Sequence, residues 1–167
     1  MSFTRKEYPE EAPRKILTPS EAKVKIASYC AYQERCQKEV RDKLYEYGLH
    51  PNEVENLVTA MILEGFLNEE RFAKAFARGK FRIKKWGKLR IVRELKFRVS
   101  SDNLVRTALK EIDDQEYWET LMYLAEKKLM ESKEKDEFKK KAKLYRFLTY
   151  KGYETDLVQS AIESLGE

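Results

Sequence analysis

Three stretches of the chain carry the same pattern of apolar residues. When residue 40 is aligned with residues 91 and 144, three apolar pairs coincide: Val40/Leu44, Ile91/Leu95 and Leu144/Leu148. The segment after each pair matches as well, with Val54/Val58/Met61 aligned to Val105/Leu109/Ile112 and to Val158/Ile162/Leu165. Within each segment the spacing is three or four residues, as on one face of an α-helix. Because the pattern returns about every 50 residues, it predicts a tandem repeat of helical units.

Each repeat is predicted to contain three helices, and no segment alternates with the period of a strand. The predicted helices are 19–33, 36–48 and 51–64; 68–83, 87–98 and 102–112; and 114–132, 137–151 and 155–165. Thr18 should cap the first helix, because the stretch TPSE also offers Pro19 at the first helical position and Glu21 for a capping box. Gly48 and Gly152 stand where a second helix should stop. Val99 occupies this place in the middle repeat, so Ser100, Ser101 or Asp102 is expected to cap the following helix.

The predicted fold is therefore all-α, with three tandem three-helix repeats stacked into an elongated, curved array. Units of about 50 residues have small cores and gain stability by stacking on their neighbours. The predicted divisions are a flexible N-terminal arm at 1–18, followed by repeats at 19–65, 66–112 and 113–167.

The middle repeat concentrates positive charge. Residues 71–98 hold twelve Lys or Arg and one acid, Glu94, whereas the rest of the chain holds 22 basic and 28 acidic residues. The net charge of +5 therefore conceals a strong segregation. Such a block is typical of a surface that meets nucleic acid or another polyanion, although a solvated helix face is the alternative.

Few residues suit catalysis or metal binding. The one histidine, His50, precedes Pro51 and suits a helix start, and Cys30 and Cys36 suit reduced structural thiols. We find no glycine-rich phosphate loop, no nucleophile and base set and no metal-ligand spacing, so we expect neither an enzyme nor a cofactor. No apolar run approaches the roughly 20 residues of a membrane span, and the N-terminus lacks the apolar centre of a signal peptide. We expect a cytosolic protein that does not bind membranes.

Two blocks of the middle repeat resemble the signature of the RecX family of recombination regulators. They are GFLNEERFAKAFARGK at 65–80 and KWGKLRIVREL at 85–95, and CQKEVRDKLYEYGL at 36–49 resembles the second helix of the family's first unit. The resemblance covers about residues 20–165. Cys36 replaces the family's usual small polar residue, and Val99 and Ser100 replace its Gly-plus-apolar pair.

The resemblance implies a protein of three three-helix units that binds the RecA filament and is not an enzyme. Family members lie in the helical groove of the filament, reduce its ATP hydrolysis and strand exchange, and limit its growth on single-stranded DNA. The implied partners are the RecA filament and single-stranded DNA, contacted directly or within the filament, and the protein is expected to be a monomer. An autonomous single-strand-binding protein and a purely structural helical scaffold are the competing classes.

The candidate contact residues lie in the basic middle repeat: Arg71, Lys74, Arg78, Lys80, Arg82, Lys84, Lys85, Trp86, Lys88, Arg90 and Arg93. Arg71 opens a helix, where the helix dipole disfavours a cation, so it either faces a partner or pairs with Glu69 or Glu70. Trp86 either stacks on a partner or fills the helix junction.

Helical spacing assigns inward positions on the two basic helices. Phe72, Phe76, Gly79 and Ile83 should face the core from the first helix, and Leu89, Val92 and Leu95 from the second. The second basic run, KKKAK at 139–143, follows four acids and is interpreted as charge-balanced.

Overall fold

The structure, a computed structural model, describes residues 15–166 and contains nine α-helices in that range. They are α1 (Pro19–Tyr32), α2 (Gln37–Glu46), α3 (Pro51–Leu63), α4 (Glu69–Arg82), α5 (Lys88–Lys96), α6 (Asp102–Leu109), α7 (Asp114–Glu131), α8 (Glu137–Lys151) and α9 (Thr155–Leu165). Residues 15–166 form no strand. The predicted all-α fold of three helix triplets is confirmed. Most of the predicted arm, residues 1–14, lies outside the described residues.

Most helices begin and end within one residue of the predicted positions, but α2, α5 and α6 end two or three residues earlier, at Glu46, Lys96 and Leu109. Thr18 Oγ1 accepts a hydrogen bond from the Glu21 amide at 3.2 Å, and Pro19 follows as the first helical residue. Gly48 and Gly152 adopt φ angles of 86° and 102°, the left-handed conformation that favours glycine. In the middle triplet the Val99 amide instead donates to the Leu95 carbonyl at 3.0 Å, and Ser101 caps α6 through the Asn103 amide.

The repeated apolar positions form the cores of the triplets. The six residues of the first aligned set, from Val40 to Leu148, are all buried. In the second set Leu109 and Leu165 are half-buried, and the remainder are buried. The repeat therefore reflects one packing arrangement used three times.

The inward face of α4 differs from the prediction. Phe72 is buried as expected, but the helix buries Ala73, Ala77 and Phe81 beside it, whereas Ile83 is 78% exposed. The helix packs mainly against α6, and the small alanines allow a close approach. Ile83 follows the last helical residue, so the helical spacing does not apply to it.

The inward face of α5 is also rotated. Ile91 and Leu95 are buried, whereas Leu89, which we expected inside, is 53% exposed. Its apolar side chain remains on the surface among the basic residues of α5.

The chain divides into two compact units, of which one ends at Leu67 and the other begins at Asn68. The first unit contains α1–α3 around a core that includes Ile26, Leu44 and Met61. The second contains the middle triplet α4–α6 and the third triplet α7–α9. Among the described residues, no helix combines the length and apolarity needed to cross a bilayer.

Candidate functional site

The candidate residues of the middle triplet lie on α4, on α5 and in the turn between them. Asn68 Oδ1 accepts from the Arg71 amide at 2.8 Å and starts α4. After Arg82 the chain reverses through Lys85, whose φ of 55° is unusual for a residue other than glycine. The Trp86 amide donates to the Lys80 carbonyl at 3.1 Å and closes the turn. In this turn Lys84 is exposed, whereas Lys85 and Trp86 are half-buried.

A joint between α5 and α8 fixes the turn against the third triplet. The Gly87 and Leu89 amides donate to the carbonyls of Lys151 and Gly152, each at 2.9 Å. The unpaired amides at the start of one helix thus satisfy carbonyls at the end of another. The approach requires glycine on both sides, because a Cβ on Gly87 would overlap the Gly152 carbonyl and a Cβ on Gly152 would overlap Arg90.

Two buried tyrosines of the third triplet complete this joint. The Tyr117 hydroxyl accepts from the Lys88 amide at 2.9 Å and donates to Glu154 Oε1 at 2.6 Å. The Tyr153 hydroxyl donates to the Lys85 carbonyl at 3.0 Å, and the two rings lie 5.1 Å apart. Burial raises the pKa of both phenols, and the hydrogen bond to Glu154 raises that of Tyr117 further. The basic turn is therefore held by the third triplet rather than by its own residues alone.

Acidic residues from α4, from the turn after α6 and from the start of α7 neutralise part of the basic block. Lys74 lies 3.0 Å from Glu70 and 4.0 Å from Glu111, and Arg78 lies 3.6 Å from Glu111. Two further ion pairs join Arg82 to Glu116 at 3.7 Å and Lys88 to Asp114 at 3.3 Å. The charge that is segregated along the sequence is thus partly balanced in space.

Trp86 and Arg90 form the centre of a cation–aromatic group. The Arg90 guanidinium lies 4.2 Å from the Trp86 ring centre and 5.4 Å from that of Tyr150, and Lys80 Nζ lies 5.0 Å from Trp86. Trp86 is half-buried and meets Phe76 edge-on at 6.5 Å. Its indole therefore fills the helix junction beside two cations of the same triplet, and stacking on a partner stays a prediction.

Lys84 and Lys85 line a pocket of about 320 Å³ together with residues of α7 and α8. Lys127 and Lys128 from α7 and Lys151 from α8 contribute three more ammonium groups. Lys151 Nζ donates to the Lys84 carbonyl at 3.0 Å. Burial lowers the pKa of Lys151, and repulsion from Arg90, Lys85 and Lys84 lowers it further. The pocket is therefore a place where cations converge.

The remaining candidates lie at the two ends of the basic region. Arg71 is exposed in the first turn of α4, and Arg93 is exposed on α5. Within residues 15–166, Arg93 has no carboxylate within 4 Å. The structure thus places the other candidates in three environments, which are ion-paired, aromatic-stacked and lining the lysine pocket, whereas Arg71 and Arg93 are exposed on α4 and α5.

Sequence reasoning missed the contribution of the third triplet. Lys127, Lys128 and Tyr123 on α7 line the pocket with Lys151, which lies on the same helix as the basic run at 139–143. The one signal in the sequence was the lysine pair after Glu126, and such pairs are common on solvated helices. Their position beside Lys84 depends on the α5–α8 joint, which no local pattern indicates.

The histidine and the two cysteines have structural positions in the described residues. No group of three or more His, Cys, Asp or Glu in residues 15–166 is arranged to hold a metal ion. His50 starts α3, where its amide donates to Glu53 Oε1 at 3.0 Å, and Cys30 and Cys36 are buried. Burial raises the pKa of the Cys36 thiol, which makes it a weaker nucleophile at neutral pH.

Comparison with known families gives three matches along the chain. The first, second and third three-helix domains of RecX match residues 22–59, 68–109 and 114–162. Each match falls on one of the helix triplets.

Curated relatives and solved structures agree with these matches. The regulatory protein RecX of Clostridium perfringens strain 13 is 32% identical over 78% of this chain, and that of Bacillus cereus strain B4264 is 25% identical over 86%. The aligned regions span 62% and 53% of those relatives. The crystal structure of RecX from Lactobacillus salivarius superimposes with a TM-score of 0.76 at 25% identity, covering 89% of this chain and 96% of that one. A second RecX crystal structure, 19% identical, shares the fold with a TM-score of 0.78 over 87% of this chain and 71% of its own.

Proposed function

This chain belongs to the RecX family, and from that premise we propose that it is a cytoplasmic, non-enzymatic regulator of RecA. It binds RecA–DNA filaments in their helical groove, and it lowers their ATP hydrolysis, strand exchange and growth. The proposal concerns the residues of the basic middle triplet and the turn that follows α4.

One observation carries the proposal. Several cations around the α4–α5 turn have no carboxylate within 4 Å among residues 15–166: Lys80, Lys84, Lys85, Arg90 and Arg93. They lie within the match to the second RecX domain, residues 68–109. Uncompensated cations held by a fixed backbone are suited to a polyanionic lattice, such as DNA phosphates within a protein filament.

Apolar residues between these cations favour a surface that includes protein as well as DNA. Ile83, Leu89 and Tyr150 are 78%, 53% and 74% exposed. Protein–protein interfaces are enriched in aromatic and apolar anchors surrounded by polar groups. This mixture supports a nucleoprotein filament as the partner.

The direct test is the single-strand-dependent ATPase of the cognate RecA. Titration of the wild-type protein is compared with Arg90→Glu/Arg93→Glu and with the control Lys25→Glu/Lys139→Glu, which makes the same change in charge at exposed lysines elsewhere. We expect inhibition by the wild type and the control, and at least a tenfold higher concentration of the first variant for half-inhibition. The proposal fails if excess wild-type protein leaves the ATPase unchanged.

The lysine pocket also favours a second candidate, an autonomous single-strand-binding protein. The two functions differ in salt dependence, because phosphate contacts weaken steeply with salt whereas a protein–protein component persists. Binding to RecA filaments and to naked oligonucleotides should be measured from about 50 to 200 mM salt, because the affinity of a protein with several phosphate contacts falls steeply over this range. Equal affinities and equal slopes for both would favour the second candidate.

A further inference from the structure

The lysine pocket at the α4–α5 turn adjoins a second lysine-lined pocket in the third triplet. The second pocket has a volume of about 530 Å³, and its ammonium groups come from Lys128, Lys133, Lys135, Lys140 and Lys143. Lys128 and Glu131 line both pockets. The two pockets therefore adjoin each other along the C-terminal half of α7.

The charge of this surface is only slightly compensated. Two carboxylates line the pockets, Glu131 and Glu134, and Glu134 pairs with Lys143 at 2.9 Å. In the part of the chain that the structure describes, the other lysines lining the pockets have no carboxylate within 4 Å. A folded protein gathers like charges in this way at a cost in repulsion, and a bound polyanion removes that cost.

The shape of the surface indicates what it binds. Along α7 it extends from Tyr123 to beyond Glu131, which at 1.5 Å per residue is about 12 Å or more of helix. A free mononucleotide occupies only one such pocket, whereas a flexible strand of about three to four nucleotides follows both at the roughly 3.4 Å phosphate spacing of a stacked strand. Tyr123 is 50% exposed at one end and offers a ring face for a base.

We propose that the two pockets form one track that binds the phosphates of a single-stranded nucleic acid, so that the third triplet shares DNA binding with the second. The lysines provide the phosphate contacts, and Tyr123 stacks on one base. RNA and DNA offer the same phosphate chemistry to these lysines. The inference therefore rests on the proposed function only in taking DNA as the polyanion.

The test measures direct binding of a fluorescent 12-nucleotide oligothymidylate to the full-length protein without RecA. Lys127→Glu/Lys140→Glu changes the track outside the middle triplet, since both lysines line it and neither has an ion pair among residues 15–166. The control is again Lys25→Glu/Lys139→Glu, in which Lys139 neighbours Lys140 on α8 but does not line either pocket. Circular dichroism checks the folding of both variants, and Lys127→Gln/Lys140→Gln replaces the charge reversal if it does not fold.

We expect the Lys127/Lys140 variant to bind at least tenfold more weakly than the wild type, and the control to stay within twofold of it. The slope of log K against log salt concentration should fall by about 1.4, because each phosphate contact on a single strand contributes about 0.7. The track is disproved if the Lys127/Lys140 variant binds the oligonucleotide as tightly as the wild type does. It is also disproved if the control loses as much affinity as the variant. If dTTP and unlabelled oligothymidylate compete equally well at the same phosphate concentration, the ligand is not a strand.

The RecA assay separates this inference from the proposed function. If the wild type does not inhibit RecA but oligonucleotide binding depends on Lys127 and Lys140, the proposed function fails and the track stands. If the variant loses inhibition of RecA but keeps its oligonucleotide affinity, the lysines meet an acidic protein surface and the track is wrong.

Discussion

Individual basic residues of similar sequence context have different environments in this protein. Lys74 and Arg78 lie against carboxylates, whereas Lys84 and Arg93 have none within 4 Å in residues 15–166. Exposed ion pairs contribute little to stability, about 0–1 kcal/mol each. Among the candidate residues of the middle triplet, these ion pairs leave Lys80, Lys84, Lys85, Arg90 and Arg93 without a carboxylate within 4 Å in residues 15–166.

Tyr117 joins the triplets through one hydroxyl, so Tyr117→Phe should destabilise the protein. The change leaves the Lys88 amide and Glu154 without this partner, which we expect to cost about 1–3 kcal/mol of unfolding free energy. Urea denaturation measures the loss. Tyr150→Phe is the control, because Tyr150 is 74% exposed and its hydroxyl makes no hydrogen bond within residues 15–166. Equal stability of the two variants would contradict the role of the Tyr117 hydroxyl.

Because of the buried tyrosines, we also expect the protein to lose stability at alkaline pH. Their pKa values are raised in the folded state, so above pH 10 the unfolded chain releases these protons while the folded protein retains them. Unfolding is therefore favoured as the pH rises through and beyond 10, the ordinary value for tyrosine. Urea midpoints measured from pH 8 to about 11 should fall, and they should fall less in Tyr153→Phe. A parallel decline in that variant would contradict the assignment.

Among the helix contacts, the one between α5 and α8 places the strictest steric requirement on the sequence. The start of α5 lies directly on the end of α8, with Gly87 and Gly152 at the contact. This joint connects the middle and third triplets and brings Lys151 to Lys84. The lysine pocket exists only while the joint is intact.

Glycine substitutions test the joint. Gly87→Ala places a methyl group against backbone that cannot move freely, and we expect a cost of at least about 1–3 kcal/mol. Gly152→Ala combines a similar overlap with a φ of 102°. Gly79→Ala is the matched control, because it lies inside α4 with nothing within 4 Å of the added Cβ and should stabilise by about 0.5–1 kcal/mol. Thermal or urea unfolding distinguishes the three variants. If Gly87→Ala leaves the stability unchanged, the close contact is disproved.

For the protein as a whole, the second compact unit contains all the parts of the candidate site. The α5–α8 joint, the tyrosine contacts and both lysine pockets lie within residues 68–166. The first unit has a separate buried core. We therefore expect the second unit to fold, and to keep the candidate contact surface, without α1–α3.

A fragment of residues 68–167 should fold and keep oligonucleotide binding. We expect helical circular dichroism, cooperative thermal unfolding and an affinity for oligothymidylate within about fivefold of the full chain, since the phosphate contacts are retained. Gly87→Ala in the same fragment should lower its melting temperature. A fragment that is unfolded at 25 °C would show that the second unit depends on the first.

The all-α fold, the nine helices of residues 15–166 and most of their ends could be predicted from the sequence. Helical periodicity, the Thr18 cap and the glycines at 48 and 152 act within a few residues, and such local preferences are visible in one dimension. The repeat register also identified the buried pairs from Val40 to Leu148. These features require no knowledge of which helices meet.

Tertiary structure decided which cations remain available and where they converge. Glu111, in the turn after α6, pairs with Arg78, and Glu116 of α7 pairs with Arg82, so the charge count along the sequence did not describe the charge in space. Lys127 and Lys151 join Lys84 because of the α5–α8 joint, whose two glycines are 65 residues apart in the chain. Periodicity and composition describe each helix separately, whereas electrostatics and binding depend on distances between helices.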